Sequence, residues 1–300
     1  RTDSTPLLFS AVGKPEMFRL LLENGADAKV SHDAVSLLAE VTDKELMLLL
    51  IEKGADVNHP SIFRRHRVPI LHLAMIYDSP EMFDAALKAG ADVKGEDEFG
   101  TLPLERAVIK GEAYYVEKLL QAGAKVNASV HPKRTYYIDY TGKIYKGEDD
   151  LLAIAVSKAN VEIVKLLIAF KVNLNARANI YERTYPIHIA VKKGNAELVT
   201  ILVQAKAKLN VTDRYKQTPL HYAAESGAVE IAEILLAGGI KVDAFDENLA
   251  TALHIAVQRQ DKDMVKLLMA YKANPHLKDQ HGDTAVSLAN EEIAPLLTGK

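Results

Sequence analysis

A short segment of this 300-residue chain recurs at a fixed interval of 33 residues. The best-preserved copy, residues 218–224 (TPLHYAA), is followed by Gly227 and then by an apolar run that ends at Gly238 and Gly239. Related segments begin near residues 185, 251 and 284, each 33 residues from its neighbour. A period of about 20 to 50 residues is typical of stacked structural units that each contact only their neighbours. The period therefore argues against two ordinary globular domains.

The same pattern continues towards the N-terminus with less regular spacing. It predicts nine units, which start near residues 5, 33, 69, 102, 150, 185, 218, 251 and 284. Two longer spacings leave inserted loops at residues 59–67 and 128–149. Units one and nine are shortened, which is typical of end caps and equally of a truncated array. We expect the nine units to form a single elongated domain over residues 1–300.

One unit predicts a pair of helices. Thr218 can cap the first helix, and Pro219 stands at its first position, where a missing amide hydrogen costs nothing. Gly227 can adopt the left-handed conformation that ends this helix. The second helix carries Ile231 and Leu235 on one face and ends at the glycine pair. A lone helix pair cannot bury both faces, so neighbours must stack, and the remaining residues extend as a finger-like turn.

These motifs closely resemble the ankyrin repeat. The resemblance rests on the period, on the T-P-L-H segment, on the central glycine and on a closing G-A-D-V-N segment, as in residues 71–74 (LHLA) and 90–93 (GADV). It covers essentially the whole chain. It implies an all-α repeat solenoid, an ankyrin-repeat array of stacked helix pairs with β-hairpin fingers, one of them an extended finger near 128–149.

Three units depart from the family pattern at the end of the second helix. Lys171, Lys206 and Lys272 replace the glycine there in units five, six and eight. If these positions are left-handed, each lysine destabilises its unit by up to about 1 kcal/mol. We expect the array to be softer in these units.

The insertion between units four and five carries the strongest local signal. Residues 135–140 (TYYIDY) and 143–146 (KIYK) flank Thr141-Gly142, which predicts a β-hairpin. It holds four of the twelve tyrosines, namely Tyr136, Tyr137, Tyr140 and Tyr145. Tyrosine is enriched at binding hot spots, so these residues are candidates for partner contact. The alternative is that they pack the hairpin against itself and the neighbouring finger.

The loop at residues 59–67 is strongly basic, with Arg64, Arg65 and Arg67 close together. A phosphate or acidic-peptide contact is one interpretation, and a solvated loop is the other. Nucleic-acid binding through this loop and through Lys133-Arg134 is a further alternative. The formal net charge of −3 argues against it, because nucleic-acid surfaces are usually basic.

Catalytic chemistry has no candidate residues in this sequence. The chain has no cysteine, which excludes disulfides, thiolate nucleophiles and thiolate metal sites. The common catalytic and nucleotide-binding motifs are also missing. His72, His188, His221 and His254 occupy one slot of successive units, so they cannot converge on a metal, and the resemblance implies a structural hydrogen-bonding role. We predict no enzyme activity and no cofactor.

The resemblance implies that the chain binds a protein partner on its concave face, formed by finger tips and exposed first-helix residues. In units three and four these positions hold apolar residues, so we expect the partner's apolar anchors to dock there. Units six to nine are more polar and are expected to orient the partner electrostatically. The alternative is that the apolar residues belong to the core. The candidate contacts outside the hairpin are Ile76, Tyr77, Phe99, Ile109, Lys192, Arg214 and Tyr215.

A rival hypothesis makes the chain the substrate-recruiting or regulatory arm of a larger enzyme or secreted effector, with its catalytic part outside these residues. The longest apolar runs fall far short of the roughly 20 residues that span a bilayer, so no membrane span is predicted. We expect a cytoplasmic monomer. Divergent units and the absence of Cys and Trp suggest a bacterial protein similar to ankyrin effectors that act in host cytoplasm. Asn58 and Asn127 occupy a slot that is hydroxylated in some family members.

Overall fold

The structure is a computed structural model that describes residues 7–32, 35–63, 66–127, 136–138, 144–146, 150–178 and 182–298. The chain forms two compact units, residues 1–147 and residues 148–300. Both consist of short helices that alternate in pairs, as an all-α repeat solenoid requires. The extension of one elongated domain over the whole chain stays a prediction.

Residues 1–147 contain four helix pairs and three short hairpins among the described residues. The helices are α1 (Leu7–Ser10), α2 (Pro15–Glu23), α3 (Leu37–Glu40), α4 (Lys44–Glu52), α5 (Ile70–Ile76), α6 (Pro80–Lys88), α7 (Pro103–Lys110) and α8 (Ala113–Gln121). The antiparallel strand pairs are β1 (Ser31–His32) with β2 (Val35–Ser36), β3 (Ser61–Phe63) with β4 (His66–Val68), and β5 (Tyr136–Ile138) with β6 (Ile144–Lys146).

Residues 148–300 contain five further helix pairs in the part that the structure describes. They are α9 (Leu151–Ser157), α10 (Val161–Ala169), α11 (Pro186–Lys192), α12 (Ala196–Gln204), α13 (Pro219–Ser226), α14 (Val229–Ala237), α15 (Ala252–Gln258), α16 (Lys262–Ala270), α17 (Ala285–Leu288) and α18 (Ala294–Thr298). The last pair is short, as predicted for unit nine.

Helix ends follow the local chemistry of the sequence. The first helix of unit seven begins at Pro219 and ends at Gly227, which is left-handed with φ of 67°. Lys171, Lys206 and Lys272 have φ of 61°, 69° and 63°, so the prediction that these lysines occupy a left-handed slot is confirmed. A side chain at such a position crowds the following carbonyl oxygen, which makes these three helix ends less stable than a glycine would.

Both inserted segments contain β-hairpins. In the extended finger Tyr137 pairs with Tyr145, so the predicted hairpin is confirmed. The basic loop at 59–67 also forms a hairpin, in which Ser61 pairs with Val68 and Phe63 with His66. The buried Ser61 hydroxyl donates to the Leu38 carbonyl oxygen at 3.2 Å and anchors this second hairpin to the preceding unit.

The core runs between the helices of successive units. The third residue of each second helix is apolar, and in seven of them it is no more than 4% exposed: Leu46, Met82, Tyr115, Ile163, Leu198, Ile231 and Met264. Burial of one such side chain contributes roughly 1.5 to 3 kcal/mol. The equivalent Met17 in α2 is 52% exposed. Stacking on a preceding unit, rather than the local sequence, therefore decides whether this residue is buried.

The repeated histidines tie each unit to the next. The Nδ1 atom of His221 accepts the Thr218 amide hydrogen at 3.1 Å and lies 2.7 Å from the Thr218 hydroxyl. Its Nε2 atom donates to the Ala250 carbonyl oxygen at 3.2 Å. His188 makes the same two kinds of bond to Tyr185 and Gln217, and burial lowers its pKa to about 4. The structural role implied by the resemblance is confirmed, because both ring nitrogens of a neutral imidazole are used.

His72 in unit three departs from this arrangement. Its Nε2 atom donates to the Thr101 carbonyl oxygen at 2.9 Å, but its buried Nδ1 atom has no hydrogen-bond partner among the described residues. The reason is local, since Pro69 occupies the capping position and proline has no amide hydrogen to donate. Burial lowers the pKa of His72 to about 4, so the ring is neutral here as well.

Candidate interaction surface

The finger tips of units six to eight are shaped by one aspartate each. The Asp213 carboxylate accepts amide hydrogens from Tyr215 at 2.8 Å and from Gln217 at 2.9 Å. Asp246 and Asp279 make the same pair of bonds in the next two fingers. This turn leaves the residues after the aspartate at the tip, so their side chains are available for other contacts.

Neighbouring fingers in this region are joined by backbone hydrogen bonds. The Arg214 amide donates to the Glu182 carbonyl oxygen, and the Glu247 amide donates to that of Tyr215, both at 2.9 Å. The Gln280 amide donates to the Asn248 carbonyl oxygen at the same distance. Because these bonds use no side chain, they fix the spacing of the tips and leave the side chains free to vary.

A groove of about 420 Å³ lies between these fingers and the first helices. We call it the finger–helix groove. From the fingers it is lined by Glu182, Asp213, Arg214, Tyr215 and Gln217, and from α11 and α13 by Lys192, Tyr222, Glu225 and Ser226. Its size is within the range of about 300 to 1,000 Å³ that is usual for ligand sites.

The polar groups of the groove are held in defined positions. The Arg214 guanidinium lies 4.3 Å from the centre of the Tyr215 ring and also bonds its hydroxyl. The Tyr222 hydroxyl donates to Asp213 at 2.9 Å, and burial, followed by this carboxylate, raises the pKa of Tyr222. Among the described residues, Lys192 and Arg214 form no ion pair with a carboxylate. The groove therefore presents two cations and an exposed aromatic ring.

Three of the predicted contact residues are brought together here. Lys192, Arg214 and Tyr215 all line the finger–helix groove, and Tyr215 is 41% exposed. The motif analysis did not single out Tyr222, which follows the structural His221 in the same helix. Its position on the groove depends on the direction of one helix turn against the fingers, and the repeat pattern alone does not give that direction.

The apolar anchors expected in units three and four are not an exposed patch. Ile109 is 6% exposed, so its expected exposure was wrong. Tyr77 is half-buried, and its hydroxyl donates to the Thr42 carbonyl oxygen at 3.2 Å. Phe99 is half-buried with its ring 5.4 Å from that of His66, and Ile76 is half-buried in α5. Contacts with neighbouring units cover surface that the family pattern leaves open.

The hairpin tyrosines are only partly described. Tyr136, Tyr137 and Tyr145 lie in β5 and β6, but the described features do not include their side chains, and Tyr140 lies outside the described residues. Their contact with a partner stays a prediction. Across the described part of the chain, no helix has the length and apolar character needed to cross a membrane. Nor do the described His, Asp and Glu residues form a cluster of three that could hold a metal ion.

Comparison with known families agrees with this architecture. Residues 152–246 match the family described as "Ankyrin repeats (3 copies)", and residues 235–289 match "Ankyrin repeats (many copies)". The chain contains ankyrin repeats, and the resemblance drawn from its motifs is confirmed. Repeats of this family are typically non-catalytic and generally serve as protein-interaction modules.

Two curated proteins are similar to parts of the chain. One is dynein axonemal heavy chain 12 of Bos taurus, which is 27% identical over 62% of this chain and 49% of its own length. The other is the nuclear factor NF-kappa-B p105 subunit of Gallus gallus, which is 30% identical over 47% of this chain and 13% of its own length. The chain thus spans about half of the first relative and a small part of the second.

Solved structures show the same fold. The ankyrin repeat domain of Bcl-3, described as a unique member of the IkappaB protein family, superposes with a TM-score of 0.62 and 23% identity. The match covers 76% of this chain and 97% of that domain. The human ASB11 ankyrin repeat domain gives a TM-score of 0.55 and 24% identity, with 76% and 95% covered. The predicted fold, an ankyrin-repeat solenoid of stacked helix pairs, is confirmed.

Proposed function

We propose that this chain is a non-enzymatic protein-interaction module that binds a partner protein in the finger–helix groove of units six and seven. The observation that carries the proposal is the gathering of Lys192 from α11 with Arg214 and exposed Tyr215 from a finger that backbone hydrogen bonds join to its neighbours. Binding loses less entropy when the contact residues are already fixed before the partner arrives.

Each contact residue has a distinct role in this proposal. Tyr215 supplies a broad, rigid surface, and the stacked Arg214 holds its ring in place, as is typical of interface hot spots. Lys192 receives a carboxylate of the partner. Glu182 and Glu225 line the same groove, so a partner with both charges in the complementary order is favoured over one with a single charge.

The proposal shifts the main anchor away from units three and four. Burial of Ile109 and the internal contacts of Tyr77 and Phe99 leave these three side chains little apolar surface for a partner. The tyrosines of the extended finger stay in the proposal as secondary contacts. The same groove would serve if the chain is the recruiting or regulatory arm of a larger enzyme or effector, and its place in the cytoplasm remains part of the proposal.

The proposal can be tested with peptides selected from a random display library on the whole chain. Tyr215→Ala should weaken binding of the selected peptides about tenfold or more, as truncation of a hot-spot tyrosine usually does. Tyr271→Ala is the matched control, because Tyr271 is exposed to a similar extent, 37%, but follows the second helix of unit eight. Lys192→Ala should weaken binding less, and more at low salt than at high salt.

The contradicting outcome is equally clear. If Tyr215→Ala keeps its helical circular dichroism and melting temperature and still binds the selected peptides as tightly as the unmodified chain, the groove is not the binding site. Loss of binding in Tyr271→Ala but not in Tyr215→Ala would place the site on the second helices.

A further inference from the structure

The fingers before and after α5 and α6 are joined at their tips by side chains. The Glu98 carboxylate accepts the Arg67 amide hydrogen at 3.0 Å and also bonds the His66 ring. The Phe99 ring lies 5.4 Å from the same imidazole. The Glu98 side chain therefore joins these two tips, where later fingers are joined by backbone bonds.

The bases of the same two fingers are joined by another side chain. The Asn58 amide nitrogen donates to the Gly90 carbonyl oxygen at 3.2 Å, and the Asn58 amide oxygen accepts the Asp92 amide hydrogen at 2.8 Å. A base bond of the same kind recurs between later fingers, where the Asn175, Asn210 and Asp243 side chains accept the amide hydrogens of Lys208, Lys241 and Asn274. The Glu98 bonds at the tip are what set this pair of fingers apart. A space is left between the base bonds and the tip bonds.

This space is a cleft of about 540 Å³, which we call the inter-finger cleft. Its walls and floor are apolar and include Val57, Pro60, Pro69, Ile70, Leu71 and Ala91. Its rim carries three exposed carboxylates, Asp92, Glu96 and Glu98, against one exposed guanidinium, Arg67. The fourth carboxylate of the lining, Asp97, is buried and paired with Arg106 at 3.0 Å.

We propose that the inter-finger cleft binds an apolar side chain of a partner polypeptide that is flanked by lysine or arginine. The volume is within the usual range for ligand sites and holds a branched aliphatic side chain with its backbone. The apolar floor gains from losing water, and the excess of rim carboxylates favours positive charge beside the apolar residue. An acidic or uncharged segment gains only the apolar contact with the floor of the cleft and no attraction to the rim carboxylates.

Gly95 lies in the wall of the cleft, at a position where a larger side chain would fill the cleft. A Cβ atom at this position would lie 3.8 Å from the Pro69 Cβ atom and 3.3 Å from the Asp92 carbonyl oxygen. Its φ is outside the left-handed region, so a larger residue is tolerated by the backbone. A leucine at this position therefore extends towards Pro69 and occupies the cleft, while the neighbouring carbonyl shifts by a few tenths of an ångström.

The inter-finger cleft is independent of the finger–helix groove. The cleft lies within residues 57–98, and the groove lies within residues 182–226. Their preferences also differ, because the groove presents Lys192 and Arg214 whereas the cleft presents a carboxylate rim. Failure of one site therefore says nothing about the other, provided that variants of both are compared.

The test uses a fluorescent synthetic peptide with leucine between two lysines, and two matched peptides in which serine replaces the leucine or glutamates replace the lysines. Anisotropy is measured on the whole chain at low salt. The leucine–lysine peptide should bind at least about tenfold more tightly than either matched peptide. Gly95→Leu and Glu96→Lys should each weaken its binding roughly fivefold, whereas Tyr215→Ala should leave it unchanged.

Circular dichroism and thermal melting establish that the variants fold. The proposal is overturned if the three peptides bind equally, if none binds at millimolar concentration, or if folded Gly95→Leu binds as tightly as the unmodified chain. Loss of binding in Tyr215→Ala but not in Gly95→Leu would also overturn it, because the peptide would then occupy the finger–helix groove.

Discussion

Neighbouring finger tips are joined in different ways in residues 57–98 and in residues 182–280. In the second region backbone amides and carbonyl oxygens join neighbouring tips, as between Arg214 and Glu182. In the first region the tip joint is the Glu98 carboxylate, which bonds the Arg67 amide and the His66 ring. Where backbone atoms make the bond between tips, the tip side chains remain available to a partner. Where a side chain makes the bond, that side chain is occupied, and a cleft lies between the two fingers.

The two regions also differ beneath the finger turn. Asp97 and Asp213 occupy the same turn position, but the buried partner of Asp97 is the Arg106 guanidinium at 3.0 Å, whereas that of Asp213 is the Tyr222 hydroxyl at 2.9 Å. Removal of one member of a buried ion pair strongly destabilises the fold, whereas removal of a neutral hydrogen-bond donor destabilises it less. The comparison therefore predicts unequal sensitivity to mutation.

The largest expected effect follows from breaking the ion pair. Arg106→Ala leaves the buried Asp97 charge without its guanidinium and should lower the free energy of unfolding by about 3 to 5 kcal/mol. Tyr222→Phe removes one hydrogen bond from a neutral donor to a carboxylate and should cost less, about 1.5 to 3 kcal/mol. Denaturant titration followed by circular dichroism measures both. Equal losses would mean that the two buried contacts are energetically equivalent.

A smaller effect is expected from acid. The pKa of His72 and His188 is lowered to about 4 in the folded state by burial, while an unfolded histidine has its ordinary value near 6.5. Between these values the unfolded chain binds more protons, so stability present above pH 6.5 is lost as the pH falls towards 4. Each histidine should contribute a loss of about 2 to 3 kcal/mol at pH 4.5.

Hydrogen exchange across the pH range tests this prediction locally. His188→Gln keeps a donor for the Gln217 carbonyl oxygen but does not titrate, so the acid loss should shrink around α11 and persist around α5. Asp150 acts in the opposite direction, because burial raises its pKa to about 6 and protonation then favours the folded state as the pH falls below 6. An unchanged acid response in His188→Gln would contradict the assignment.

The smallest effect concerns helix ends. Glycines close the second helices of units one to four, whereas left-handed lysines do so in units five, six and eight. Lys206→Gly should stabilise the chain by up to about 1 kcal/mol, and the reciprocal Gly239→Lys should destabilise it by a similar amount. Thermal unfolding of the two variants measures the difference. Changes of the same sign would show that φ is not the cause.

Much of the fold could be predicted because the helix ends of each unit are determined by the backbone preferences of a few local residues. Pro219 and Gly227 mark the ends of one helix by their own backbone preferences, and the left-handed lysines were identified from the slot they occupy. Exposure at units three and four could not be predicted in the same way. Ile109 is buried although its slot in the repeat is one that the family pattern exposes, and burial depends on tertiary packing that a local pattern does not encode.

The two candidate sites also differ in how far the sequence indicates them. Lys192, Arg214 and Tyr215, predicted as contacts on the concave face, line one groove in units six and seven, which keep the 33-residue period. Their contact with a partner stays a prediction. The inter-finger cleft was not foreseen. It is bounded at the tip by the Glu98 side chain, at a place where later fingers use backbone bonds, and the repeat pattern does not indicate that exchange.

The sequence by itself determined the repeat, the helix pairs and the structural histidines. These follow from backbone preferences and from spacing, which act over a few residues or one period. Only the tertiary structure decided which surfaces are open, because exposure depends on contacts between residues that are distant in sequence. Neighbouring finger tips are joined by a backbone bond at Arg214 and by a carboxylate at Glu98, and the repeat pattern does not distinguish the two.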